Sequence, residues 1–218
     1  MDLITGKNIN KKRQIASLTK IMTAYVVLNL LEQMKICPKT TFLQVSKKAA
    51  SIKGTSADLE EGDVLSIWDL LHGLMLPSGN DAAYSLAENF GVYIFYSSSE
   101  GKKLQENKNL SMSLMPRTFI NFFIDEMNLM AKNFKMGNTF FANGHGLPNA
   151  NSYSTAYDMA VLSYHAMKNE KLRQIVRTKT FEFEYKDFEG NSQIKFFENS
   201  NKMLDLPDYI GFLIKKYN

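Results

Sequence analysis

Two side chains near the start of the chain, Ser17 and Lys20, have types and spacing that could form a nucleophile. A serine hydroxyl attacks a carbonyl carbon poorly unless a nearby base takes its proton. Residues three apart share one face of a helix, so the Lys20 amine can lie beside the Ser17 oxygen. Lysine acts as a base only when it is neutral, and burial in an apolar helix lowers its pKa in that direction. The pair is therefore a candidate serine nucleophile with a lysine base. The alternative is an ordinary helix N-cap followed by a solvated lysine, which is the usual meaning of this spacing when it stands alone.

The surroundings of this pair distinguish it from other copies of the pattern. Ser-x-x-Lys occurs twice more, at Ser99/Lys102 and Ser192/Lys195. Ser99/Lys102 lies in a polar run, and Ser192/Lys195 lies in a segment predicted as a hairpin. In a hairpin, residues three apart do not share one face as they do on a helix. Ser17 instead opens the segment 17–32, which is apolar on nearly every face and predicts a buried central helix. The start of such a helix also offers unpaired N–H groups to a developing negative charge.

A second polar group, Ser78-Gly79-Asn80, follows Pro77 in a short turn between two apolar helical segments. Such a turn can place a hydroxyl and a carboxamide in a cleft. Ser78 could relay a proton there, and Asn80 could hold a peptide carbonyl group. The alternative is an ordinary helix connector in which Asn80 or Asp81 is the N-cap of the next helix. The residues alone leave both interpretations open.

Two further features have simpler explanations than catalysis. His145 lies between Gly144 and Gly146, in a turn that needs small residues. No second ligand with matching spacing indicates a metal site around this histidine. We therefore predict a structural loop here, and neither a metal ion nor a cofactor for the protein. Glu60 and Glu61 predict a solvated loop rather than an acid–base pair.

The rest of the chain indicates the elements that position these residues. Helices are predicted at 17–32, from a Ser66 capping box to Pro77, at 81–90, at 118–134, and from a Thr155 cap to about Met167. Strands are predicted at both ends: a hairpin of 3–4 with the segment around Ile9, turning at Thr5-Gly6-Lys7, and a second hairpin from Thr180 to Phe197. The polar run 97–113 predicts an exposed loop. Helices in the middle and strands at both ends indicate an α+β fold.

Composition limits the class of protein. The 218 residues suffice for one medium-sized domain, and 44% hydrophobic with 22% charged residues is typical of a globular protein. A net charge of +4, scattered along the chain, does not predict nucleic-acid binding. The single cysteine, Cys37, excludes an internal disulfide and a cysteine-built zinc site. No apolar run approaches the roughly 18 residues of a membrane span.

Taken together, the motifs resemble a known family. The segments 16–24 and 76–83 look like those of the low-molecular-mass D-alanyl-D-alanine carboxypeptidases, which are S11 serine peptidases and penicillin-binding proteins. Segments 2–7, 59–63, 143–147 and 153–160 agree in the same order. Class A β-lactamases fit less well, because Gly79 stands where they carry aspartate and no downstream Glu-x-x-x-Asn is found.

The resemblance implies a β-lactamase/penicillin-binding-protein transpeptidase-like fold, α+β, with a helical region packed on an antiparallel sheet. It also implies that Ser17 attacks the bond between two terminal D-alanines of a peptidoglycan stem peptide. Lys20 would take the proton, Ser78 would relay it to the leaving D-alanine, and Asn80 would bind substrate. β-Lactam antibiotics would acylate Ser17. Family members are exported to the periplasm or cell surface, and no signal peptide is recognised at Met1, so the location stays open.

The family's third motif, Lys-Thr-Gly, is not found where the resemblance places it. After Gly211 the chain reads 212–218 with Lys215 but no following Thr or Gly. In the family, that motif binds the substrate carboxylate and its strand supplies an oxyanion donor, whose loss typically costs 10²–10³ in rate. We therefore expect one incomplete catalytic domain over 1–218, truncated or frameshifted after Gly211, without its C-terminal sheet strands.

Three hypotheses follow from these patterns. The first is an active carboxypeptidase. The second is a catalytically impaired remnant or pseudoenzyme, which binds wall peptides or does not fold stably. The third is another acyl-transfer activity on the same serine, such as that of an esterase. Covalent labelling by a penicillin separates the first from the second.

Overall fold

The computed structural model describes residues 5–106 and 118–206. In these residues the helices are α1 (Thr19–Met34), α2 (Lys47–Ala50), α3 (Ile67–Met75), α4 (Asn80–Ser97), α5 (Ser99–Glu106), α6 (Phe119–Asn133), α7 (Ala156–Ala166) and α8 (Glu170–Arg177). The strands are β1 (Phe42–Gln44), β2 (Val64–Ser66), β3 (Thr180–Lys186) and β4 (Ser192–Glu198). Short 3₁₀ helices span Ala16–Leu18 and Lys202–Asp205.

Helix α1 is the centre of the helical region. Its apolar residues surround the whole helix rather than one face, and it packs against α3, α4, α6, α7 and α8. A helix that is apolar on every side has to be enclosed by other elements to bury its surface. The helix ends where Lys35 adopts a left-handed conformation with φ 56°. The predicted buried central helix is confirmed.

The segment that carries Ser78 runs from α3 to α4. Ser66 and Asp69 form the predicted capping box, with the Ser66 side chain accepting the Asp69 N–H and the Asp69 carboxylate accepting the Ser66 N–H. Helix α3 ends at Met75, two residues before Pro77, because a proline has no backbone N–H with which to continue the helical hydrogen bonds. Helix α4 then begins at Asn80 and runs beyond the predicted end at residue 90, since it packs along α6.

The sheet is antiparallel and has the strand order β1-β2-β3-β4 within the described residues. The long hairpin β3–β4 pairs Thr180 with Glu198 and Lys186 with Ser192, as the alternating pattern predicts. One face of β3 turns its aromatic side chains to the helices, where Phe181 stacks on His72 of α3 with ring centroids 3.7 Å apart. Helices thus pack on an antiparallel sheet, and the predicted α+β fold class is confirmed.

Two local predictions are wrong. The run predicted as a loop at 97–113 contains helix α5, because polarity indicates exposure but does not prevent a solvated helix. Residues 107–117 lie outside the described residues. The predicted strand around Ile9 is absent from the described residues 5–12: the Ile9 carbonyl instead accepts the Tyr157 N–H, and Lys11 donates to the Asn8 carbonyl in a turn.

Other predictions fall outside the described part of the chain. These are the first strand of the N-terminal hairpin, at residues 3–4, and the segment 207–218 where Lys-Thr-Gly was expected. The single domain over 1–218 stays a prediction. Across the described residues, no helix is long and apolar enough to cross a bilayer.

Candidate active site

The amine of Lys20 is the centre of a buried group of polar atoms. Its Nζ lies 3.1 Å from Ser17 Oγ, 2.7 Å from Asn80 Oδ1 and 2.8 Å from the backbone oxygen of His145. Lys20 is 1% exposed and Ser17 is 4% exposed. The predicted pair is therefore assembled, because the step from the 3₁₀ helix Ala16–Leu18 into α1 places both side chains on one face.

Burial sets the protonation state of this amine. Removal from water lowers the pKa of Lys20 to about 7, against an opposing effect of the Asp81 carboxylate, which raises it. A neutral amine has two N–H groups and one lone pair. The oxygens of Asn80 and His145 can only accept hydrogen bonds, so they take the two N–H groups. The lone pair then faces the Ser17 hydroxyl, which is the arrangement of a base beside a nucleophile.

Ser78 lies buried at 3% exposure with its backbone in the left-handed region, at φ 63°. Its carbonyl accepts the Thr55 hydroxyl at 2.5 Å, which fixes the turn. Its Oγ has no hydrogen-bond partner among the described residues. A buried hydroxyl without a partner is costly, and a strained backbone at the same residue is typical of a functional position.

Asn80 is held from both ends of its carboxamide. Oδ1 accepts from Lys20, while Nδ2 donates to the Lys53 carbonyl at 2.8 Å. The N-cap of α4 is Gly79, and it makes no side-chain capping bond. The alternative interpretation, in which Asn80 or Asp81 is the N-cap of an ordinary connector, is therefore wrong.

Asp81 has a role that the sequence analysis missed. It is 1% exposed and accepts the backbone N–H groups of Ala57 and Leu59 at 2.9 and 3.1 Å, and the Ser56 hydroxyl at 2.6 Å. These bonds hold the loop 53–59 against the turn that carries Ser78 and Asn80. Sequence gives no signal for this, because an acidic residue in the first turn of a helix has an ordinary explanation in the helix dipole.

The loop around His145 lies close against the segment that carries Ser17 and against α1. Gly146 has φ 86°, and a Cβ there would lie 2.0 Å from the Ala16 carbonyl oxygen, so only glycine fits. The Thr23 hydroxyl donates to the Gly144 carbonyl at 2.7 Å. These contacts bring the His145 carbonyl, rather than its ring, to Lys20. The small residues predicted to be needed in this turn are therefore explained by close contacts, whereas the sequence did not indicate that its backbone meets the lysine.

A cavity of about 260 Å³ opens beside Ser17. Asn80, the 145–149 loop and the residues just before the nucleophile line it. Ala16 is one of them and has φ 45°, a strained value for a residue with a side chain. Ser17 is therefore accessible from this side even though its own surface is almost fully buried.

This arrangement agrees with comparisons to known proteins. The family model of the D-alanyl-D-alanine carboxypeptidases, peptidase family S11, matches residues 2–92 and 120–210. The chain belongs to this family. The match covers the Ser17, Ser78 and His145 segments, and the resemblance inferred from the motifs is confirmed.

Relatives and solved structures support the same assignment. The chain is 30% identical over 204 residues to the carboxypeptidase DacF of Bacillus subtilis, covering 93% of this chain and 44% of that protein. It is 34% identical over 178 residues to the carboxypeptidase of Streptomyces sp. strain K15, covering 80% and 53%. The crystal structure of the Streptomyces K15 DD-transpeptidase superposes with a TM-score of 0.77 at 30% identity, covering 94% of this chain and 71% of that one. The chain spans about half the length of the curated relatives it matches, and its penicillin-binding-protein fold is confirmed.

The remaining sequence candidates are not part of this site. Ser99 and Lys102 are exposed on α5. Lys195 of the third Ser-x-x-Lys pairs with Asp63 at 3.7 Å. Glu60 and Glu61 are exposed in their loop, as predicted. Within the described residues, no group of three or more His, Cys, Asp or Glu side chains could hold a metal ion.

Proposed function

We propose that this chain is a serine D-alanyl-D-alanine carboxypeptidase, which removes the terminal D-alanine from peptidoglycan stem peptides through an acyl-enzyme on Ser17. One observation carries the proposal: the buried Lys20 amine, 3.1 Å from the Ser17 hydroxyl, is held on its other sides by two oxygens that only accept hydrogen bonds. Family membership supports the same chemistry.

Acylation begins with the neutral amine. Lys20 takes the Ser17 proton while Oγ bonds to the carbonyl carbon between the two D-alanines. The Ser17 N–H belongs to the first turn of the 3₁₀ helix, where backbone N–H groups lack helical partners and can stabilise the oxyanion. Asn80 has a second N–H on its carboxamide nitrogen, which supports its proposed role in binding the substrate carbonyl.

Release of D-alanine returns the proton. The carbon–nitrogen bond breaks, and the leaving amine receives the proton that Lys20 took, with Ser78 as the relay. The free hydroxyl of Ser78 supports this role, because its O–H is not engaged by another described residue. Water then attacks the Ser17 ester, which releases the shortened peptide and restores the hydroxyl. No cofactor is needed for any of these steps.

The proposal also names partners and a location. β-Lactams carry a reactive amide that resembles the cleaved bond, so they are expected to acylate Ser17 and inhibit the enzyme. Peptidoglycan stem peptides are reached on the periplasmic or cell-surface side of the membrane, where we expect the protein to work.

The deciding experiment is labelling with a fluorescent penicillin. We expect covalent labelling of the wild-type chain and none of Ser17→Ala. Ser192→Ala is the matched control, because it removes the exposed serine of another Ser-x-x-Lys pattern and should label normally. A chain that melts cooperatively yet never labels would show the remnant or pseudoenzyme instead. Serine-dependent ester hydrolysis without any D-alanine release would show the esterase.

A further inference from the structure

Helix α6 carries a side chain, Asn128, that bonds to the backbone of another segment. Its Oδ1 accepts the Phe141 N–H at 2.9 Å, and its Nδ2 donates to the Phe141 carbonyl at 2.8 Å. Nδ2 also donates to the Ile124 carbonyl of its own helix at 3.0 Å. A carboxamide that exchanges two bonds with one residue makes the same pair of bonds as a hydrogen-bonded neighbour in an antiparallel ladder. Asn128 thus takes the place of a strand beside Phe141.

The other side of this segment is bonded to backbone. Phe140 and Tyr153 form an isolated antiparallel bridge, with N to O distances of 2.9 and 3.0 Å. The next residue, Ser154, exchanges two bonds of 2.8 and 2.9 Å with Arg13, in the segment that precedes α1. The three segments form a narrow ladder of bridges. Among the described residues, the Asn128 side chain closes its far edge.

The segment held by Asn128 leads into the loop that meets Lys20. The Gly144 carbonyl of this loop accepts the Thr23 hydroxyl at 2.7 Å, and the His145 carbonyl accepts the Lys20 amine at 2.8 Å. Lys20 and Thr23 are three apart on α1 and share a face, so one face of the helix contacts two consecutive carbonyl groups. Both contacts require the loop to lie at one distance from α1.

Bonds inside the loop make it move as one piece. Asn143 Oδ1 accepts the Gly146 N–H at 2.6 Å, and its Nδ2 donates to the Leu147 carbonyl at 3.1 Å. The turn is therefore closed on itself around His145. A displacement of the backbone at Phe141 is then carried to the His145 carbonyl rather than absorbed within the loop.

The position of this carbonyl decides the direction of the Lys20 lone pair. The neutral amine has two N–H groups, which the oxygens of Asn80 and His145 accept. Its lone pair is left facing the Ser17 hydroxyl. Without the His145 oxygen in place, one N–H can turn toward Ser17 and the amine is no longer held as an acceptor. A misplacement of about 1 Å at a reacting group can cost about 10² in rate.

We propose that Asn128 is a positioning residue for the acylation of Ser17: it holds the loop 141–147 where the His145 carbonyl orients the Lys20 amine. The inference rests on the proposed carboxypeptidase function and concerns its first step. Asn128 does not touch the reacting atoms. Its effect passes through the Phe141 backbone and the loop to Lys20.

The test measures the rate at which fluorescent penicillin labels Ser17 in the full chain. Asn128→Leu keeps the approximate size of the side chain and removes both bonds to Phe141. We expect the labelling rate at its high-pH plateau to fall about 10- to 100-fold. Asn128→Asp keeps an acceptor for the Phe141 N–H but loses the donor, so we expect a smaller fall.

Asn89 of α4 offers a matched control. Like Asn128, it is half-buried in a helix and donates to the carbonyl one turn earlier, that of Ser85, at 2.8 Å. Asn89→Leu therefore removes the same kind of helical bond without touching the loop. We expect it to change the plateau rate by less than about twofold.

A second measurement separates positioning from a merely structural role. Because Asn128 acts through Lys20, Asn128→Leu in a Lys20→Ala background should change the residual labelling rate by less than about threefold. A structural role would lower the rate by the same factor in both backgrounds, and that result would overturn the inference. Thermal melts set a temperature at which each variant is folded. Asn128→Asp carries the comparison if Asn128→Leu does not melt cooperatively, and failure of both to fold would show a structural role.

The two levels of the argument fail differently. Absence of Ser17 labelling in the wild-type chain contradicts the proposed function itself. Normal wild-type labelling, together with equal plateau rates in Asn128→Leu and Asn89→Leu, contradicts only the positioning role of Asn128.

Discussion

The pattern Ser-x-x-Lys occurs at the start of α1 and again in β4, and the two copies have opposite properties. On α1, Ser17 and Lys20 share a face, are buried and lie 3.1 Å apart. In β4, Ser192 is exposed and the Lys195 amine points elsewhere, to Asp63 at 3.7 Å. A spacing of three brings side chains together on a helix and sends them to opposite faces of a strand. The secondary structure, and then the burial, decide whether the same residues form a chemical pair.

The largest expected difference between the copies is in the rate of acylation. Lys20→Ala should slow penicillin labelling of Ser17 by about 10²–10⁴, because the general base is lost. Lys195→Ala should leave the labelling rate unchanged and reduce the free energy of unfolding by about 1–3 kcal/mol, since the buried Asp63 loses its partner. Labelling kinetics and thermal melts of both variants test this. A similar loss of rate in both would contradict the comparison.

The pH profile should also separate the two lysines. Acylation needs neutral Lys20, whose pKa burial lowers to about 7. The labelling rate should therefore rise about tenfold per pH unit below pH 7 and level off above it. Lys195→Ala should give the same profile as the wild type. A rate still rising steeply between pH 8 and 10 would show that Lys20 titrates at its ordinary pKa. Water would then reach the Lys20 amine more freely than its burial indicates.

Two glycines with the same backbone angle extend the comparison. Gly146 beside Ser17 and Gly190 in the β3–β4 turn both have φ 86°. A Cβ at 146 would lie 2.0 Å from the Ala16 carbonyl oxygen, whereas one at 190 meets nothing within 4 Å. Gly190→Ala should cost only the strain of the left-handed backbone, about 1–2 kcal/mol. Gly146→Ala should destabilise more and also slow Ser17 labelling, because it displaces the loop that carries the His145 carbonyl. Equal melting shifts with unchanged labelling would contradict this.

The smallest expected effect concerns Asp81. Its carboxylate raises the pKa of Lys20, so Asp81→Asn should move the rising limb of the labelling profile to lower pH. Asp63→Asn is the matched control, because it removes a buried acid that pairs with Lys195 rather than Lys20 and should leave the profile in place. Labelling rates measured from pH 5 to 9 test both variants. A shift to higher pH in Asp81→Asn would contradict the electrostatic assignment.

Much of the site could be predicted because its residues are close in sequence. Ser17 with Lys20, and Ser78 with Asn80, each form a local motif, and the apolar runs around them predict the helices correctly. The roles of Asp81 and of the His145 carbonyl could not be predicted in this way. Asp81 acts on a loop more than 20 residues earlier, and the His145 oxygen is a backbone atom that any residue type would supply.

The prediction of secondary-structure elements failed in two segments where local composition was the only signal. Helix α5 is polar and has no apolar face that a periodic pattern would reveal. The segment around Ile9 looks like a strand by composition, but its carbonyl is engaged by the start of α7, which is distant in sequence. In the Ile9 segment local propensity is a weak guide, because a tertiary contact decides the outcome.

The sequence by itself determined which residue types are available for chemistry. It also predicted the central apolar helix and indicated the family. Only the tertiary structure decided that Lys20 is buried away from water and that two oxygens from distant segments accept hydrogen bonds from its amine. It also decided that a cavity lined by uncharged described residues lies on one side of Ser17. The physical reason is that a pKa and a hydrogen-bonded geometry depend on the surrounding atoms. Those atoms come from segments 60 and 125 residues further along the chain than Lys20.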